Sequence, residues 1–171
     1  MRKIIAMIAA LAGLGGAAKA ETAEMKPMPR SFTPLAEGFL VSPQITPEDI
    51  AAAKAQGVTL IINNRPDGEA PGQPRGADIE AAAKAAGIRY LAIPVRGMAI
   101  GPEQIEALAA ALSENDGPTL AFCRSGTRST VLHAFAEARS GRPADEIIAE
   151  ARAAGYDIAG TRAALEALSR P

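Results

Sequence analysis

Residues 118–129 place an apolar strand candidate, a tight loop and the start of a helical segment in immediate succession. The strand candidate ends at Cys123, the only cysteine of the chain, and Gly126 lies in the loop before Arg128. In such a unit, backbone N–H groups and the positive end of a helix converge on one sulfur. Their field lowers the pKa of the thiol and forms a pocket for an oxyanion. The segment therefore predicts cysteine chemistry on an anionic group or on sulfur.

The rest of the chain alternates between short strand patterns and helical patterns. This order predicts an α/β fold with a mainly parallel sheet flanked by helices. The strand candidates are 39–41, 58–62, 88–95 and 119–122. The helix candidates are 46–56, 78–86, 102–113, 129–139, 144–153 and 160–168.

The first 20 residues have the organisation of a cleavable signal peptide. Arg2 and Lys3 form a basic start, residues 4–18 are apolar or small, and a small-x-small site ends at Ala20. We expect cleavage after Ala20 and a periplasmic or secreted protein without a membrane span. The apolar stretch is short for a span, and an uncleaved N-terminal anchor is the alternative.

Beyond the signal peptide, the sequence divides into an N-terminal arm at 21–37, which contains three prolines, and a catalytic domain at 38–171. Cleavage removes three of the 18 basic residues and none of the 19 acidic ones, so the mature chain is acidic. That balance argues against non-specific nucleic-acid binding. A lone cysteine in an exported protein cannot form an internal disulfide, which suggests that Cys123 has a function. The alternative is a buried, inert cysteine.

The loops after the strand candidates carry a cluster of positive charge. In parallel sheets, the loops at the carboxyl ends of the strands gather at one edge, where ligands bind. The loops that follow residues 62, 95 and 122 therefore meet at this edge, and they predict an anionic substrate. Their arginines are Arg65, Arg75, Arg96, Arg124 and Arg128.

Four segments occur in an order that resembles a known family. They are VSPQITPED at 41–49, NNRPDGE at 63–69, YLAIPV at 90–95 and FCRSGTRS at 122–129. Together they resemble the bacterial beta-lactamase-hydrolase-like, phosphatase-like family, described as sulfurtransferases or phosphatases. The resemblance covers roughly residues 39–139. It implies a dual-specificity-phosphatase-like three-layer fold, with a sheet of four or five strands and Cys123 as nucleophile.

Two features distinguish sulfur transfer from phosphoryl transfer. Four residues separate Cys123 from Arg128, as in rhodanese-like persulfide loops, whereas cysteine phosphatases place five residues there. The alternative is that this fold binds phosphate with a loop of a different shape. Dual-specificity phosphatases also carry an aspartate after the strand equivalent to 90–95, where this chain has no carboxylate before Glu103. The best replacement for that acid is Asp67, and its alternative role is that of a turn aspartate before glycine.

The leading hypothesis is an exported, rhodanese-like sulfurtransferase. Cys123 would hold sulfane sulfur as a persulfide, Arg128 and Arg65 would bind a donor such as thiosulfate or a persulfide, and a thiol acceptor would collect the sulfur. The alternative is a phosphatase that forms a phosphocysteine from a phosphoester, with Arg128 as a clamp on the phosphoryl oxygens and Asp67 as acid and then base. A third hypothesis is a non-catalytic module that binds an anion or a partner protein. In each case the loop residues that surround the anion are Arg124, Ser125, Gly126, Thr127 and Ser129.

The single histidine, His133, falls inside the helix that follows the cysteine loop. We expect it to be a packed or exposed helix residue that points away from the sulfur, although the family pattern favours an aromatic residue there. One histidine and one cysteine do not make a zinc site. The sequence contains no Walker loop, dinucleotide fingerprint or calcium loop, so it indicates no metal and no cofactor.

Overall fold

The structure is a computed structural model that describes residues 30–170. The predicted signal peptide and the first part of the predicted arm lie outside the described residues. The strands are β1 (Thr33–Ala36), β2 (Phe39–Ser42), β3 (Leu60–Asn63), β4 (Arg89–Ala92) and β5 (Thr119–Phe122). The α-helices are α1 (Ile50–Ala55), α2 (Gly76–Ala85), α3 (Pro102–Ser113), α4 (Thr127–Arg139), α5 (Ala144–Ala153) and α6 (Arg162–Leu168), and two 3₁₀ helices lie at Pro47–Asp49 and Ala159–Thr161.

The five strands form one sheet in the order β1-β2-β5-β3-β4. Strands β2, β5, β3 and β4 run parallel, and β1 pairs with β2 in the antiparallel direction. The predicted α/β fold with a mainly parallel sheet is therefore confirmed.

Strand β1 is the element that the sequence analysis missed, because it lies inside the predicted N-terminal arm. It is four residues long and contains Pro34, which weakens the strand pattern. A proline is tolerated here because β1 is an edge strand. Its outer side pairs with no further strand, so the N–H group that proline lacks is not required for a hydrogen bond there. Residues 33–36 of the arm are thus part of the sheet, and the neighbouring Phe32 is buried.

Helices cover both faces of the sheet, which buries its central strands on two sides. All four residues of β3 and all four of β5 are buried. Along β3, Leu60 and Ile62 pack into an apolar cluster that includes residues of α3 to α6. Ile61 faces the opposite way, into a cluster with residues of α1 and α2. This three-layer arrangement explains why the strands are apolar without alternation.

Three loops meet at the carboxyl edge of the sheet, as the parallel topology requires. The N–H of Asn64, just after β3, donates a hydrogen bond to the carbonyl of Phe122 at the end of β5 at 2.8 Å. The N–H of Val95, after β4, donates to the carbonyl of Asn64 at 3.0 Å. The backbone itself therefore brings the segments 63–69, 94–96 and 122–129 together. Among residues 30–170, no helix is both long enough and apolar enough to cross a membrane.

Candidate active site

Cys123 lies at the end of β5, under the loop that leads into α4. The N–H of Gly126 donates to its Sγ at 3.1 Å. Burial, the largest single influence, raises the pKa of the Cys123 thiol, because the residue has no exposed surface. The N–H groups of Ser129, Ser125, Arg128 and Gly126 outweigh burial and bring this pKa below its ordinary value. The sulfur is thus buried among N–H donors, in agreement with the depressed thiol pKa that the sequence predicts.

Gly126 is required in this loop for two reasons. Its φ of 92° is left-handed, which a glycine adopts without the steric penalty of a side chain. That conformation brings its N–H to the sulfur of Cys123. A Cβ at this position would also lie 2.8 Å from Cζ and 2.9 Å from Cε1 of Tyr156. The ring of Tyr156 therefore lies directly against the loop.

We predict that Gly126→Ala lowers the free energy of unfolding by more than Gly141→Ala does. Gly141 is the matched control because its φ is 95° and no atom lies within 4 Å of a Cβ built there. The control isolates the cost of the backbone conformation, about 1–2 kcal/mol. Gly126→Ala adds the clash with Tyr156 and should also abolish activity. Chemical denaturation of both variants measures the difference, and equal losses of stability would contradict the described packing.

Arg128 and Arg65 converge on the carboxylate of Glu69. Nη1 and Nη2 of Arg128 donate to Oε1 and Oε2 of Glu69 at 2.6 and 2.8 Å, and Nη1 also donates to the carbonyl of Val95 at 2.8 Å. Nε of Arg65 donates to Oε2 of Glu69 at 3.0 Å, while Nη1 of Arg65 donates to Oε1 of Gln44 at 3.0 Å. The forked guanidinium of Arg128 is therefore held in one orientation at the edge of the sheet.

The hydrogen bond from Arg128 is the main cause that holds the pKa of Glu69 at about 2. Burial opposes this shift, and Arg65 reinforces it. Glu69 in turn raises the pKa of Arg128, and the negative charge of Cys123 raises it further. The guanidinium thus faces Glu69 and the thiolate at once. Glu69 is not among the site residues that the sequence predicts, although it lies in the NNRPDGE segment only two residues after Asp67.

Asp67 lies elsewhere at this edge. Its Oδ1 accepts a hydrogen bond from the N–H of Gly76 at 2.8 Å, at the start of α2. It lines a cavity of about 370 Å³ together with Asn63, Arg65 and Tyr90. The structure does not pair Asp67 with Arg128, and its role as an acid stays a prediction.

The remaining predicted arginines do not join the cluster around Glu69. Arg75 is exposed and forms an ion pair with Asp78 at 2.6 Å. Arg96 and Arg124 are exposed. Of the five arginines expected at this edge, the structure brings Arg65 and Arg128 together.

Hydroxyl groups surround the cysteine loop. Ser125 and Thr127 share a hydrogen bond of 3.1 Å on its exposed side. The Oγ of Ser129 is buried and has no hydrogen-bond partner within the described part of the chain. Such unpaired buried hydroxyl groups are rare in folded proteins. The backbone N–H of Ser129 is one of the donors that lower the pKa of Cys123.

His133 packs away from the sulfur, as predicted. It is buried on α4, and its ring centroid lies 4.1 Å from that of Phe39, at the start of β2. Burial is the main reason why the pKa of His133 lies below its ordinary value. Both rings border a cavity of about 510 Å³ that also contacts Thr119, the first residue of β5. This cavity is therefore at the amino edge of the sheet, opposite Cys123.

Comparison with known proteins identifies the family. Residues 31–140 match the family model described as the phosphatase-like domain of beta-lactamase hydrolase-like protein. The chain belongs to this family. The resemblance found in the four sequence segments is thereby confirmed. The beta-lactamase hydrolase-like protein of Agrobacterium fabrum is 45% identical over 94 residues, which cover 55% of this chain and 22% of the relative. The chain spans less than a third of the curated relatives that it matches.

Solved structures agree with this assignment. A candidate phosphatase from Neisseria meningitidis is 35% identical and superposes with a TM-score of 0.73. The match covers 80% of this chain and 97% of the other. A mouse candidate dual specificity phosphatase shares the fold, with a TM-score of 0.57, 20% identity and coverage of 88% and 92%. The predicted dual-specificity-phosphatase-like fold is confirmed. These relatives favour the phosphatase alternative over the sulfurtransferase that the sequence analysis placed first.

Proposed function

We propose that this protein is a cysteine-dependent phosphatase that hydrolyses phosphate monoesters. The observation that carries the proposal is the convergence of four N–H groups and the oriented guanidinium of Arg128 on the sulfur of Cys123. Several fixed donors around one nucleophile suit the three non-bridging oxygens of a phosphoryl group. The phosphatase-like family supports the same choice.

The proposed reaction has two steps. The thiolate of Cys123 attacks phosphorus, the P–S bond forms, and the ester P–O bond breaks with both of its electrons remaining on the leaving oxygen. An acid protonates that oxygen. Its conjugate base then takes a proton from water as the water oxygen attacks phosphorus. The P–S bond breaks with both of its electrons remaining on sulfur, so phosphate is released and the Cys123 thiolate is restored. The N–H groups of the loop stabilise the charge on the phosphoryl oxygens in both transition states. Glu69 and Val95 accept from both N–H bonds of Nη1 and from one N–H bond of Nη2 of Arg128. Its Nε–H and the second N–H of Nη2 are left for the anion.

Glu69 is a positioning residue in this scheme. A carboxyl group with a pKa of about 2 is ionised at neutral pH and has no proton to donate. Its side chain is 29% exposed, and both of its oxygens accept from Arg128. Glu69 therefore orients the guanidinium, and the acid of the first step must come from another residue. Asp67, at the same edge of the sheet, is the candidate.

We predict that Asp67→Asn slows the hydrolysis of an alkyl phosphate by about a hundredfold and leaves that of p-nitrophenyl phosphate nearly unchanged. An alkoxide needs a proton to leave, whereas p-nitrophenolate leaves as an anion. Asparagine keeps an oxygen for the N–H of Gly76, so the turn is preserved. Asp145→Asn, at a side chain that is 83% exposed on α5, is the control. Equal rates of wild type and variant with both substrates would exclude Asp67 as the acid.

Sulfur transfer is the second candidate function, and a specific feature favours it. Only four residues separate Cys123 from Arg128, and residues 96–99 contain no carboxylate. The same N–H groups could hold a persulfide, and sulfite or a thiolate leaves without an acid. Cys123 would then take sulfane sulfur from thiosulfate and pass it to a thiol.

Two assays on the same preparation separate these functions. The mature chain, which we propose begins at residue 21, is incubated with p-nitrophenyl phosphate and, separately, with thiosulfate and cyanide. Release of phosphate without thiocyanate is the expected result. Thiocyanate without phosphate would replace the proposal with sulfur transfer. Inactivity in both assays, with a melting temperature that rises with phosphate or sulfate, would identify a non-catalytic anion-binding module.

A further inference from the structure

Tyr156 lies against the cysteine loop although it is far from it in sequence. It follows α5, where its N–H donates to the carbonyl of Ala151 at 2.8 Å. A Cβ built on Gly126 would lie within 3 Å of its ring and would meet its Oη closest of all. The phenol therefore contacts the residue whose N–H reaches the sulfur of Cys123 at 3.1 Å.

The hydroxyl of Tyr156 faces the same charge as the loop. Burial, and then the negative charge of Cys123, raise the pKa of Tyr156, so the hydroxyl keeps its proton at neutral pH. The N–H groups that stabilise the Cys123 thiolate belong to the loop, and the phenol is not among these donors. Within the described part of the chain, the Oη of Tyr156 has no hydrogen-bond partner. A partly buried O–H donor thus lies beside the anion site without an acceptor of its own.

We infer that Tyr156 is a further substrate-contacting residue, whose hydroxyl donates a hydrogen bond to the oxyanion held on the Cys123 loop. This inference rests on the proposed function for the identity of that anion, a phosphoryl group. Tyr156 lies beyond residues 31–140, the segment that the family model matches. The contact is therefore contributed by the C-terminal part of this chain, which folds back onto the loop.

The ring of Tyr156 has a separate consequence for access to the sulfur. Cys123 has no exposed surface in the free protein, so a reagent reaches it only when a neighbouring group moves aside. The ring covers one side of the loop at Gly126. Tyr156→Ala should therefore increase the rate at which iodoacetamide alkylates Cys123, whereas Tyr156→Phe, which keeps the ring, should not.

The test compares Tyr156→Phe with wild type in two measurements. The first is protection of Cys123 from iodoacetamide by inorganic phosphate, which reports anion binding without turnover. The second is kcat/KM for p-nitrophenyl phosphate. We expect Tyr156→Phe to weaken protection by about tenfold and to lower kcat/KM at least as much, as for the loss of one hydrogen bond to a charged group. The pH profile of alkylation should stay in place, because the loop donors that set the thiol pKa are untouched.

The chain's other tyrosine supplies the matched control. The Oη of Tyr90 accepts a hydrogen bond from Nδ2 of Asn63 at 2.9 Å, so Tyr90→Phe makes the same chemical change away from Gly126. Because Tyr90 also borders the cavity of Asp67, the proposed acid, this control is compared by phosphate protection alone, which should stay as in wild type. Unchanged protection and unchanged kcat/KM in Tyr156→Phe would overturn the inference. A shifted alkylation profile together with a lower melting temperature would also overturn it, since that pattern reveals a purely structural role.

Failure of the proposed function gives a different result. Suppose that phosphate protects Cys123 of the wild type from iodoacetamide but the protein hydrolyses no ester. This result refutes the phosphatase. A tenfold weaker protection in Tyr156→Phe would still support the contact between Tyr156 and the anion. If phosphate does not protect Cys123 of the wild type from iodoacetamide, the contact between Tyr156 and the anion is refuted, even when the protein hydrolyses esters.

Discussion

Replacing Cys123 with serine is expected to lower phosphatase turnover by more than about a thousandfold. The N–H groups of Ser125, Gly126, Arg128 and Ser129 bring the pKa of the thiol below its ordinary value. A serine hydroxyl has a far higher pKa, and the same donors cannot ionise it at neutral pH. Initial rates with p-nitrophenyl phosphate measure the loss.

The serine variant should remain folded and should still bind phosphate, because the oxyanion donors belong to the backbone. Its melting temperature should therefore rise with inorganic phosphate as that of wild type does. Turnover within tenfold of wild type would refute every mechanism in which Cys123 is the nucleophile. If the variant lost both turnover and phosphate binding, the result would show instead that the loop had collapsed.

Arg128→Lys is expected to lower kcat/KM by about a thousandfold. A lysine cannot donate to both oxygens of Glu69, to the carbonyl of Val95 and to an anion at once. Arg139→Lys is the matched control on the same helix, since the Arg139 side chain is 46% exposed and meets Glu106 at the surface at 2.9 Å. The control should keep its activity. A similar loss in both variants would contradict a specific role of Arg128.

The same variant has a predictable dependence of stability on pH. The folded-state pKa of Glu69 is depressed to about 2, so its ionisation stabilises the folded protein above the ordinary carboxyl range. That contribution is lost as the pH falls from about 4.5 towards about 2. Arg128→Lys weakens the stabilisation by ionised Glu69. The free energy of unfolding of the variant should therefore fall furthest below that of wild type at neutral pH, and the two values should approach each other in acid. A difference that grows in acid would contradict the ion pair.

Secondary structure was predicted well where its signals are local. The bounds of α3 and α5 agree with the sequence candidates, since Pro102 at the first turn and a helical apolar face act within a few residues. Strand β1 was missed because its four residues carry Pro34 and gain their pairing only from β2. Its position in the sheet is a tertiary property that its own residues do not encode.

The sequence alone determined the family, because four ordered segments resemble it, and the α/β fold, because strand and helix periodicity is encoded by adjacent residues. It also placed Cys123, the proposed nucleophile, between a strand and a helix. It also identified Arg128 and Arg65 at the carboxyl edge of a parallel sheet. Only the tertiary structure decided that Glu69, and not Asp67, accepts hydrogen bonds from Arg128, which lies 59 positions further along the chain. The same holds for Tyr156 against Gly126. Such contacts depend on how α4, α5 and the loop after β3 pack against the sheet, and no local pattern specifies the side chains that meet there.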